Sequence, residues 1–335
     1  MSMTQKKFDP NGPGQILQGL FGLPFSPEES DIVILPVPWD VTTSYRPGTA
    51  NGPAAILTAS PQLDLYHPDF PDMWKKGVAL LPIPEEIQKK SEANRRKAET
   101  IIKLWETGQN PVDHPDLVQI NGACADLNDW VYQQAKYWLE RGKKVGLLGG
   151  DHSTPLGFIK ALHETHGEFG ILQIDAHLDL REAYEGFIYS HASIMYNARA
   201  HVKSLTQVGI RDACDAEVQL AKEVFWDRDI KQRLYRGETF KSIVDEIVKK
   251  LPKQVYISFD IDGLNPALCP NTGTPVPGGL EFEHAMFLVG EVVRSGRTIV
   301  GFDLVEVAAD EWDANVGARV LFHLCGYTSL MKTRG

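Results

Sequence analysis

Short apolar runs rich in Val, Ile and Leu recur along the chain, each bounded by Gly, Pro or Asp. Runs of this kind are typical of strands buried on both faces, as in a parallel sheet covered by helices. The six runs are Asp31 to Pro38, Lys144 to Gly150, Phe169 to His177, Leu205 to Arg211, Gln254 to Asp262 and Ile299 to Val307. The pattern therefore predicts a buried, mostly parallel sheet.

Segments with apolar residues at helical spacing lie between these runs, which is typical of a doubly wound α/β domain. The clearest are Leu127 to Arg141, Asp215 to Val224, Phe240 to Leu251 and Phe282 to Ser295. The sequence contains no internal repeat, low-complexity tract or convincing linker. Residues 1–335 are therefore interpreted as one domain.

An insertion of residues 85–115 interrupts this alternation before the run at Lys144. Glu85 to Glu106 is charged and predicted to be helical, whereas Thr107 to Pro115 carries Gly, Asn and Pro and is predicted to be a loop. The simplest interpretation is a solvated surface excursion. The alternatives are a subunit contact or part of an active-site rim.

Composition narrows the classes of function. With 43% hydrophobic and 23% charged residues and no apolar run of membrane-spanning length, the chain is expected to have no membrane partner. Residues 1–7 lack the apolar stretch of a secretory signal, so a cytoplasmic location is expected. The formal charge of -10 argues against a nucleic-acid partner and suits a small cationic ligand better. The four cysteines are widely spaced and are expected to be reduced thiols.

Three of the predicted strands end in acidic residues and histidines. Asp175-Ala176-His177-Leu178-Asp179 ends one strand, and strand alternation would place its two acids and its histidine on one side. Asp260-Ile261-Asp262 ends a second strand in the same way. A third strand runs into Gly149-Gly150-Asp151-His152-Ser153. Since ligands bind beyond the carboxyl ends of strands in open α/β sheets, the three motifs are expected to meet.

Each motif taken alone has a structural interpretation, because a strand-end Asp often caps a helix and a lone His is more often structural. Together they supply four carboxylates and two imidazoles, and burying so many negative charges requires compensating cations. Bridging carboxylates such as Asp175 and Asp260 can hold two ions roughly 3.5–4 Å apart, with a shared water that ionises near neutral pH. Oxygen and imidazole ligands without thiolates suit Mn or Ni, and also Fe, better than structural Zn.

These motifs resemble those of the ureohydrolase superfamily, which includes arginase and agmatinase. The resemblance runs from about Ile32 to Cys325 and is supported by Arg46-Pro47-Gly48 with Gly52-Pro53, Thr272-Gly273-Thr274-Pro275 and Asp303-Leu304-Val305-Glu306-Val307. It implies a three-layer α/β/α sandwich with a mostly parallel sheet, assembled as a homo-oligomer, a trimer or a hexamer. It also implies hydrolysis of a guanidino C–N bond with release of urea.

The resemblance further implies two divalent ions, Ni²⁺ or Mn²⁺, and a role for each matching residue. One ion is expected on His152, Asp175, Asp179 and Asp260, and the other on Asp175, His177, Asp260 and Asp262. Asp179 also matches the residue that orients the bridging hydroxide. Glu306 matches the carboxylate that pairs with the guanidinium, and His191 matches a mobile histidine that carries protons to the leaving amine. A strand-end acid and a surface histidine are the structural alternatives for these last two.

The segments after the metal motifs bear on the substrate. Where arginases have the Asn and Ser residues that read the amino acid head group, this chain has Leu180 to Tyr189, so L-arginine is not expected. Asp179-Leu180-Arg181 resembles formiminoglutamases, which generally lack a histidine at the position of His191. Agmatinases commonly have His-Gly-Thr where this chain has His191-Ala192-Ser193.

Tyr189 to Asn197 together with Glu311 to Arg319 resembles the agmatinase-like branch that includes nickel-preferring guanidine hydrolases. Guanidine is therefore the expected substrate, giving urea and ammonia. A pocket for this cation should be small and closed, lined by aromatic faces and hydroxyls. The candidates for that lining are Trp312, Tyr189, Phe187, Thr42 and Thr43.

Other substrates and other classes of protein stay open. Agmatine is one alternative, and a guanidino acid such as 4-guanidinobutyrate is another if Arg181 faces the pocket and binds its carboxylate. A deacetylase-like hydrolase would use a single zinc ion. A noncatalytic metal-binding relative would be expected to have lost ligands or the proton-carrying histidine, and all of these are present here.

Overall fold

A computed structural model of the protein describes residues 8–15 and 19–330. Its centre is an eight-stranded sheet whose strands are buried along most of their length. The strands are β1 (Ile32–Val37), β2 (Val78–Leu80), β3 (Lys144–Gly149), β4 (Gly170–Ile174), β5 (Ser204–Ile210), β6 (Glu223–Trp226), β7 (Gln254–Asp260) and β8 (Thr298–Val305). Their apolar, β-branched sequences suit strands buried on both faces.

The strands lie in the order β2-β1-β3-β8-β7-β4-β5-β6, and every neighbouring pair is parallel. All eight carboxyl ends therefore open onto the same edge of the sheet. At the centre of that edge β3, β8, β7 and β4 are consecutive neighbours. This order brings together four segments that are widely separated in the sequence.

Helices cover both faces of the sheet. They are α1 (Gly52–Ala59), α2 (Glu85–Glu106), α3 (Pro115–Leu139), α4 (Leu156–His166), α5 (Ile194–Ala198), α6 (Asp215–Leu220), α7 (Asp227–Tyr235), α8 (Phe240–Lys250), α9 (Phe282–Arg294) and α10 (Glu311–Ser329). One apolar core lies between the sheet and α8, α9 and α10, and a second lies between the sheet and α2, α3 and α4. The predicted three-layer α/β/α sandwich with a mostly parallel sheet is confirmed.

All six predicted strands are present within a few residues of their expected limits. The two short strands, β2 and β6, were not predicted, because three or four residues give too little pattern to recognise. Asp215 to Val224 was predicted as one helix, and this is wrong at its end: α6 stops at Leu220, and Val224 belongs to β6. Val224 pairs with Gln207 of β5, so sheet pairing overrides the local helical spacing.

The charged segment Glu85 to Glu106 forms α2 as predicted, and the residues after it form a loop up to α3. Within the described ranges, no helix combines the length and the apolar character needed to cross a bilayer.

Candidate metal centre

Seven predicted site residues lie at the carboxyl edge of the four central strands. β3 is followed by His152 and β8 by Glu306, β7 ends at Asp260, and β4 leads into the segment that carries Asp175. The set consists of His152, Glu306, Asp260, Asp262, Asp175, His177 and Asp179. Six of the seven are buried, and His177 keeps 26% of its side chain exposed.

Three carboxylates surround the Nδ1 atom of His152. It lies 2.9 Å from an oxygen of Asp179, 3.0 Å from one of Asp175 and 3.3 Å from one of Asp260. A second group adjoins the first, since His177 Nδ1 lies 3.1 Å from Asp262 Oδ2 and 3.5 Å from Asp175 Oδ1.

Two ligand sets of metal-binding size therefore share one carboxylate. Ligand atoms of His152, Asp175 and Asp260 lie within 4.8 Å of one another, and so do those of Asp175, His177 and Asp262. The two oxygens of Asp175 point to different histidines, which is the arrangement of a carboxylate able to bridge two ions.

The hydrogen bonds of His152 show why this cluster suits a cation. Ser258 Oγ donates to Asp303 Oδ2 at 2.9 Å, so its remaining capacity is to accept from His152 Nε2, also at 2.9 Å. With its proton on Nε2, His152 presents a bare lone pair at Nδ1. That buried atom makes no hydrogen bond, although carboxylate oxygens lie on several sides of it. A lone pair facing acids is repulsive unless a cation lies between them. That cation can be a proton, which the acids favour by raising the pKa of His152, or a metal ion, which this arrangement also fits.

Loops after the strands, and not alternation along the strands, bring these side chains together. The expectation that strand alternation would do so is wrong. β4 ends at Ile174, and Asp179 has φ of 54°, so the extended conformation does not continue to it. Asp262 lies in a turn of 3₁₀ helix, Ile261–Gly263, after the end of β7. Side-chain to backbone bonds hold both segments, for example His177 N to Asp175 Oδ1 at 2.6 Å.

Residues that the sequence analysis did not select orient the ligands. The buried Asp303 of β8 accepts hydrogen bonds from Tyr256 and Ser258 and so anchors the His152 contact described above. Gln173 Nε2 donates to Asp175 Oδ2 at 2.7 Å, and Gln207 in turn donates to Gln173 at 2.6 Å. Each of these residues is a polar position inside a mostly apolar strand, and that pattern in the sequence could have revealed them.

Burial and charge crowding shift the pKa values within the cluster. Burial, followed by the neighbouring Asp175, raises the pKa of Asp179 to about 7. Burial and then Asp262 and Asp175 raise the pKa of Asp260 well above its usual range. Burial opposes a charge on His152, but the surrounding acids raise its pKa well above the ordinary value. The ionised forms of these acids are therefore unfavourable unless a positive charge lies beside them.

Glu306 lies beside the cluster on a strained backbone. Its φ is 62°, and its Oε1 accepts from the backbone N of His152 at 3.0 Å. Its buried Oε2 has no hydrogen-bond partner among residues 8–15 and 19–330. Burial raises its pKa well above the usual range, followed by the effect of Asp151. One oxygen is thus fixed by the fold and the other is left to bind a donor.

His191 is joined to the loop after β1. Its backbone N donates to Thr42 Oγ1 at 3.1 Å, and its Nδ1 lies 3.4 Å from the same hydroxyl and 3.5 Å from Ser190 Oγ. Thr42 Oγ1 also donates to Asp151 Oδ2 at 3.0 Å. Burial, followed by His177 and His152, lowers the pKa of His191 to about 3, so the ring is neutral at pH 7.

A cavity of about 440 Å³ opens at the cluster. Its walls include ligands and also His191 and Glu306, and its further lining comes from Tyr45, Arg46, Arg181, Tyr184, Asp212 and Glu217. A larger cavity of about 840 Å³ shares no lining residue with it and contains no histidine.

The predicted aromatic lining is not brought to this cavity. Trp312 is 51% exposed and its Nε1 donates to the carbonyl of Ala267, whereas Phe187 is fully buried in an apolar core. Tyr189 packs against the same core. Thr42 is buried behind His191 and is not part of the cavity wall.

Arg181 faces the cavity, but its charge is already engaged. Its Nε lies 3.6 Å from Glu217 Oε2, and its guanidinium lies over the ring of Tyr184 at 4.7 Å. Arg46 lies over the ring of Tyr45 at 5.3 Å and donates to the carbonyl of Pro270. Besides the predicted site residues, the cavity lining therefore includes two arginines and two acids, Asp212 and Glu217.

Comparisons with known proteins identify one family. The model of the Arginase family matches residues 30–326. An N(1)-aminopropylagmatine ureohydrolase of Thermus thermophilus is 34% identical over 305 residues, covering 90% of this chain and 92% of the relative. An agmatinase of Citrobacter koseri is 33% identical over 299 residues, covering 87% of this chain and 85% of the relative. In fold, a crystal structure of a hypothetical agmatinase from Burkholderia thailandensis matches with a TM-score of 0.72 at 23% identity, covering 96% of this chain and 92% of that one.

Proposed function

This chain belongs to the arginase family of binuclear metal-dependent ureohydrolases, and we propose that its substrate is a small guanidino cation from which it releases urea. The observation that supports this is the unpartnered Oε2 of Glu306, which lines the cavity beside the two metal-ligand sets. A guanidinium presents a planar fork of N–H donors, and a carboxylate is its natural acceptor.

The proposed ligands are those that the resemblance implies: His152, Asp175, Asp179, His177, Asp260 and Asp262. Ligand atoms of His152, Asp175 and Asp260 lie within metal-binding distance of one another, as do those of Asp175, His177 and Asp262, which supports five of the six. Divalent ions bound there supply a hydroxide nucleophile at neutral pH by lowering the pKa of water. The choice between Ni²⁺ and Mn²⁺ stays a prediction, because oxygen and imidazole ligands accept either ion.

Three side chains have the remaining proposed roles in substrate binding, orientation of the nucleophile and proton transfer. Glu306 binds the guanidinium and holds its central carbon beside the ligand cluster. Asp179 accepts a hydrogen bond from the nucleophile and fixes its orientation. His191, which lines the same cavity, takes a proton and delivers it to the nitrogen that leaves when the C–N bond breaks. The products are urea and an amine, or ammonia when the substrate is guanidine.

The cavity favours a substrate with a tail. Its volume of about 440 Å³ is within the range of roughly 300–1,000 Å³ that small-molecule pockets occupy. Guanidinium has four non-hydrogen atoms and fills the space of only a few waters of about 30 Å³ each. Asp212, exposed at the mouth, offers a carboxylate to the distal amine of an agmatine-like compound. The sequence similarity to aminopropylagmatine and agmatine hydrolases supports the same substrate class.

Guanidine, the substrate predicted from the sequence, is the second candidate. Arg46 and Arg181 line the mouth and oppose the entry of a second positive charge, which favours a cation without a charged tail. A guanidino acid has less support, since Arg181 already faces Glu217. Arg46 is the cation that an acid of this kind could still use.

A substrate panel on protein of measured metal content tests the proposal. Urea release is measured from agmatine, N(1)-aminopropylagmatine, guanidine, 4-guanidinobutyrate, L-arginine and formiminoglutamate with Ni- and Mn-loaded enzyme. The largest kcat/KM is expected for a cationic tailed compound, and a larger value for guanidine would select the second candidate. Full metal occupancy with no hydrolysis of any compound would instead favour a noncatalytic relative.

A further inference from the structure

Helix α2 is rich in charged residues, but one of its faces is bound to the loop after β1. Arg95, near the middle of the helix, keeps only 12% of its side chain exposed. Its Nη1 donates to the carbonyl of Val41 at 3.2 Å and also to the carbonyl of Thr43. Its Nε lies 3.4 Å from the more exposed carboxylate of Glu99. The guanidinium therefore holds two main-chain carbonyls on either side of residue 42.

Two further side chains of the same helix face hold the rest of this loop. Ser91, one turn before Arg95, accepts from the backbone N of Asp40 at 3.1 Å and donates to Asp40 Oδ1 at 3.4 Å. The other oxygen of Asp40 accepts from Gly48 N at 2.6 Å. Gln88 donates to Asn51 Oδ1 at 3.2 Å. The loop from 40 to 51 is thus fixed along its length by α2.

Thr42, the residue between the two carbonyls, is the nearer of the two hydroxyls beside His191 Nδ1 and favours one tautomer of the ring. A hydroxyl has one hydrogen, and the carboxylate of Asp151 at 3.0 Å is a stronger acceptor for it than an imidazole nitrogen at 3.4 Å. Thr42 Oγ1 then accepts from His191 Nδ1 as well as from the His191 backbone N. In this arrangement Nδ1 carries the proton, and Nε2 is left as the basic nitrogen.

The chain that leads to His191 is held by α2 and α3 as well. Trp105 Nε1 of α2 donates to the carbonyl of Glu185 at 3.0 Å. Asn121 of α3 donates to the carbonyl of Gly186 at 3.0 Å and accepts from the backbone N of Ile188 at 2.9 Å. Both segments that contact the imidazole are therefore bound to one pair of helices.

We infer that Arg95 is a positioning residue for His191, and that α2 is part of the active-site framework and not a solvated surface excursion. The inference rests on the proposed proton transfer by His191. Arg95 fixes the backbone around Thr42, and Thr42 fixes the orientation and tautomer of the imidazole. Loss of this support lowers the fraction of molecules in which His191 is aligned for proton transfer, while the metal ligands and Glu306 stay in place.

Substitution of Arg95 tests the inference through the split between kcat and KM. Arg95→Met removes every donor but keeps much of the apolar stem, and kcat is expected to fall about 10- to 100-fold, part of the roughly 10²–10⁴-fold that general acid–base catalysis contributes. KM and metal content are expected to stay within about threefold. Arg95→Lys keeps a donor within reach of the two carbonyls and is expected to recover most of kcat.

The neighbouring Arg96 provides the matched control, because it is exposed and lies one position along the helix from Arg95. Arg96→Met should leave kcat and KM unchanged, and the melting temperature is recorded for every variant. Three results would each overturn the inference: kcat of folded Arg95→Met within twofold of the wild type, the same loss in Arg96→Met, or no recovery in Arg95→Lys. Ser91→Ala, which releases Asp40, gives a milder second variant in case Arg95→Met does not fold.

Nitrogen NMR of the histidine rings separates this inference from the proposed function. Metal-free, ¹⁵N-labelled protein, with His191→Asn for assignment, is expected to show His191 as the Nδ1–H tautomer in the wild type and as a mixture in Arg95→Met. Identical tautomers in the two proteins would refute the positioning role even if the enzyme is active. If no guanidino compound is hydrolysed, this measurement still decides the positioning role.

Discussion

Individual residues at the site divide into those that the sequence revealed and those that it did not. The ligating acids and histidines stand out because they follow apolar strands and come in characteristic groups, as Asp175 and His177 do. Asp303 and Gln173 act only through their partners, and a partner in another strand is invisible in one sequence. Trp312 is the opposite case, because the sequence suggested it and the structure does not place it at the site. Its side chain could bind a cation, but its position on α10 leaves it half exposed.

Ser258 provides a test of the hydrogen-bond chain behind His152. Ser258→Ala removes the acceptor for His152 Nε2, so the ring loses the bond that leaves Nδ1 free for a metal. Metal affinity is expected to fall about 10- to 100-fold, as is usual when the partner of a metal-bound histidine is lost. Competition with a chromogenic chelator measures the change. Ser204→Ala on β5, whose hydroxyl makes no hydrogen bond, is the control, and equal affinity in the two variants would contradict this role.

Glu306 is expected to affect substrate binding and not metal binding. Glu306→Gln removes the negative charge that pairs with the guanidinium but keeps an oxygen for the His152 backbone N. A hydrogen bond to a charged group contributes about 1.5–3 kcal/mol, so kcat/KM should fall roughly 10- to 150-fold, with a higher KM. Metal content, measured by mass spectrometry, should not change. Loss of metal together with activity would indicate that Glu306 is a ligand.

At the scale of elements, the long buried strands were predictable and the loops at their carboxyl ends were not. Strands such as β7 and β8 are recognisable because their seven and eight residues are mostly apolar and are buried along nearly their whole length. The backbone of Asp179 and Glu306, with positive φ, is stabilised by contacts such as Met195 N to Asp179 O and Glu306 N to Gly150 O. Non-glycine residues adopt this conformation only when surrounding structure imposes it, so sequence patterns cannot predict it.

The turn before His191 contains a third acid with positive φ, Glu185, whose φ is 54°. Burial, followed by the nearby Glu106, raises the pKa of Glu185 to about 7, although Arg95 opposes the shift. Because the folded state holds this proton more tightly than the unfolded chain, stability is lost as the pH rises from about 4.5 to about 7. Glu185→Gln should therefore raise the melting temperature at pH 8 and have little effect at pH 4.

Thermal unfolding across this pH range checks the prediction. Glu182→Gln is the matched control, because Glu182 is an exposed acid three residues earlier. A difference between Glu185→Gln and the wild type that does not change from pH 4 to pH 8 would show that the Glu185 carboxyl does not titrate as expected.

At the scale of the whole molecule, strand order places the site and cannot be read from one sequence. The order β3-β8-β7-β4 joins motifs that lie about 150 residues apart, such as His152 and Glu306. The sequence interpretation expected convergence from the shared position of the motifs at strand ends, and it left the order open. The single-domain interpretation and the trimer or hexamer implied by the resemblance stay predictions, and light scattering on purified protein would measure the oligomer.

The stability of the whole fold should depend on the metal centre. The substitution Asp260→Asn should have opposite effects on stability with and without metal. Ions that bind only the folded state stabilise it by about 4 kcal/mol at a thousandfold excess over Kd, so chelation should lower the melting temperature by on the order of 10 °C. Asp260→Asn should lower the melting temperature in the presence of metal because a proposed metal ligand is lost.

The same substitution should raise the melting temperature of the metal-free protein. Burial, with Asp262 and Asp175 beside it, raises the pKa of Asp260 well above its usual range, so the fold disfavours its ionised form when no cation is present. A neutral amide relieves that repulsion and keeps nearly the same shape. Calorimetry of both proteins with and without chelator measures the two opposite changes in melting temperature. If metal-free Asp260→Asn is less stable than the metal-free wild type, the acids do not repel one another as this geometry requires.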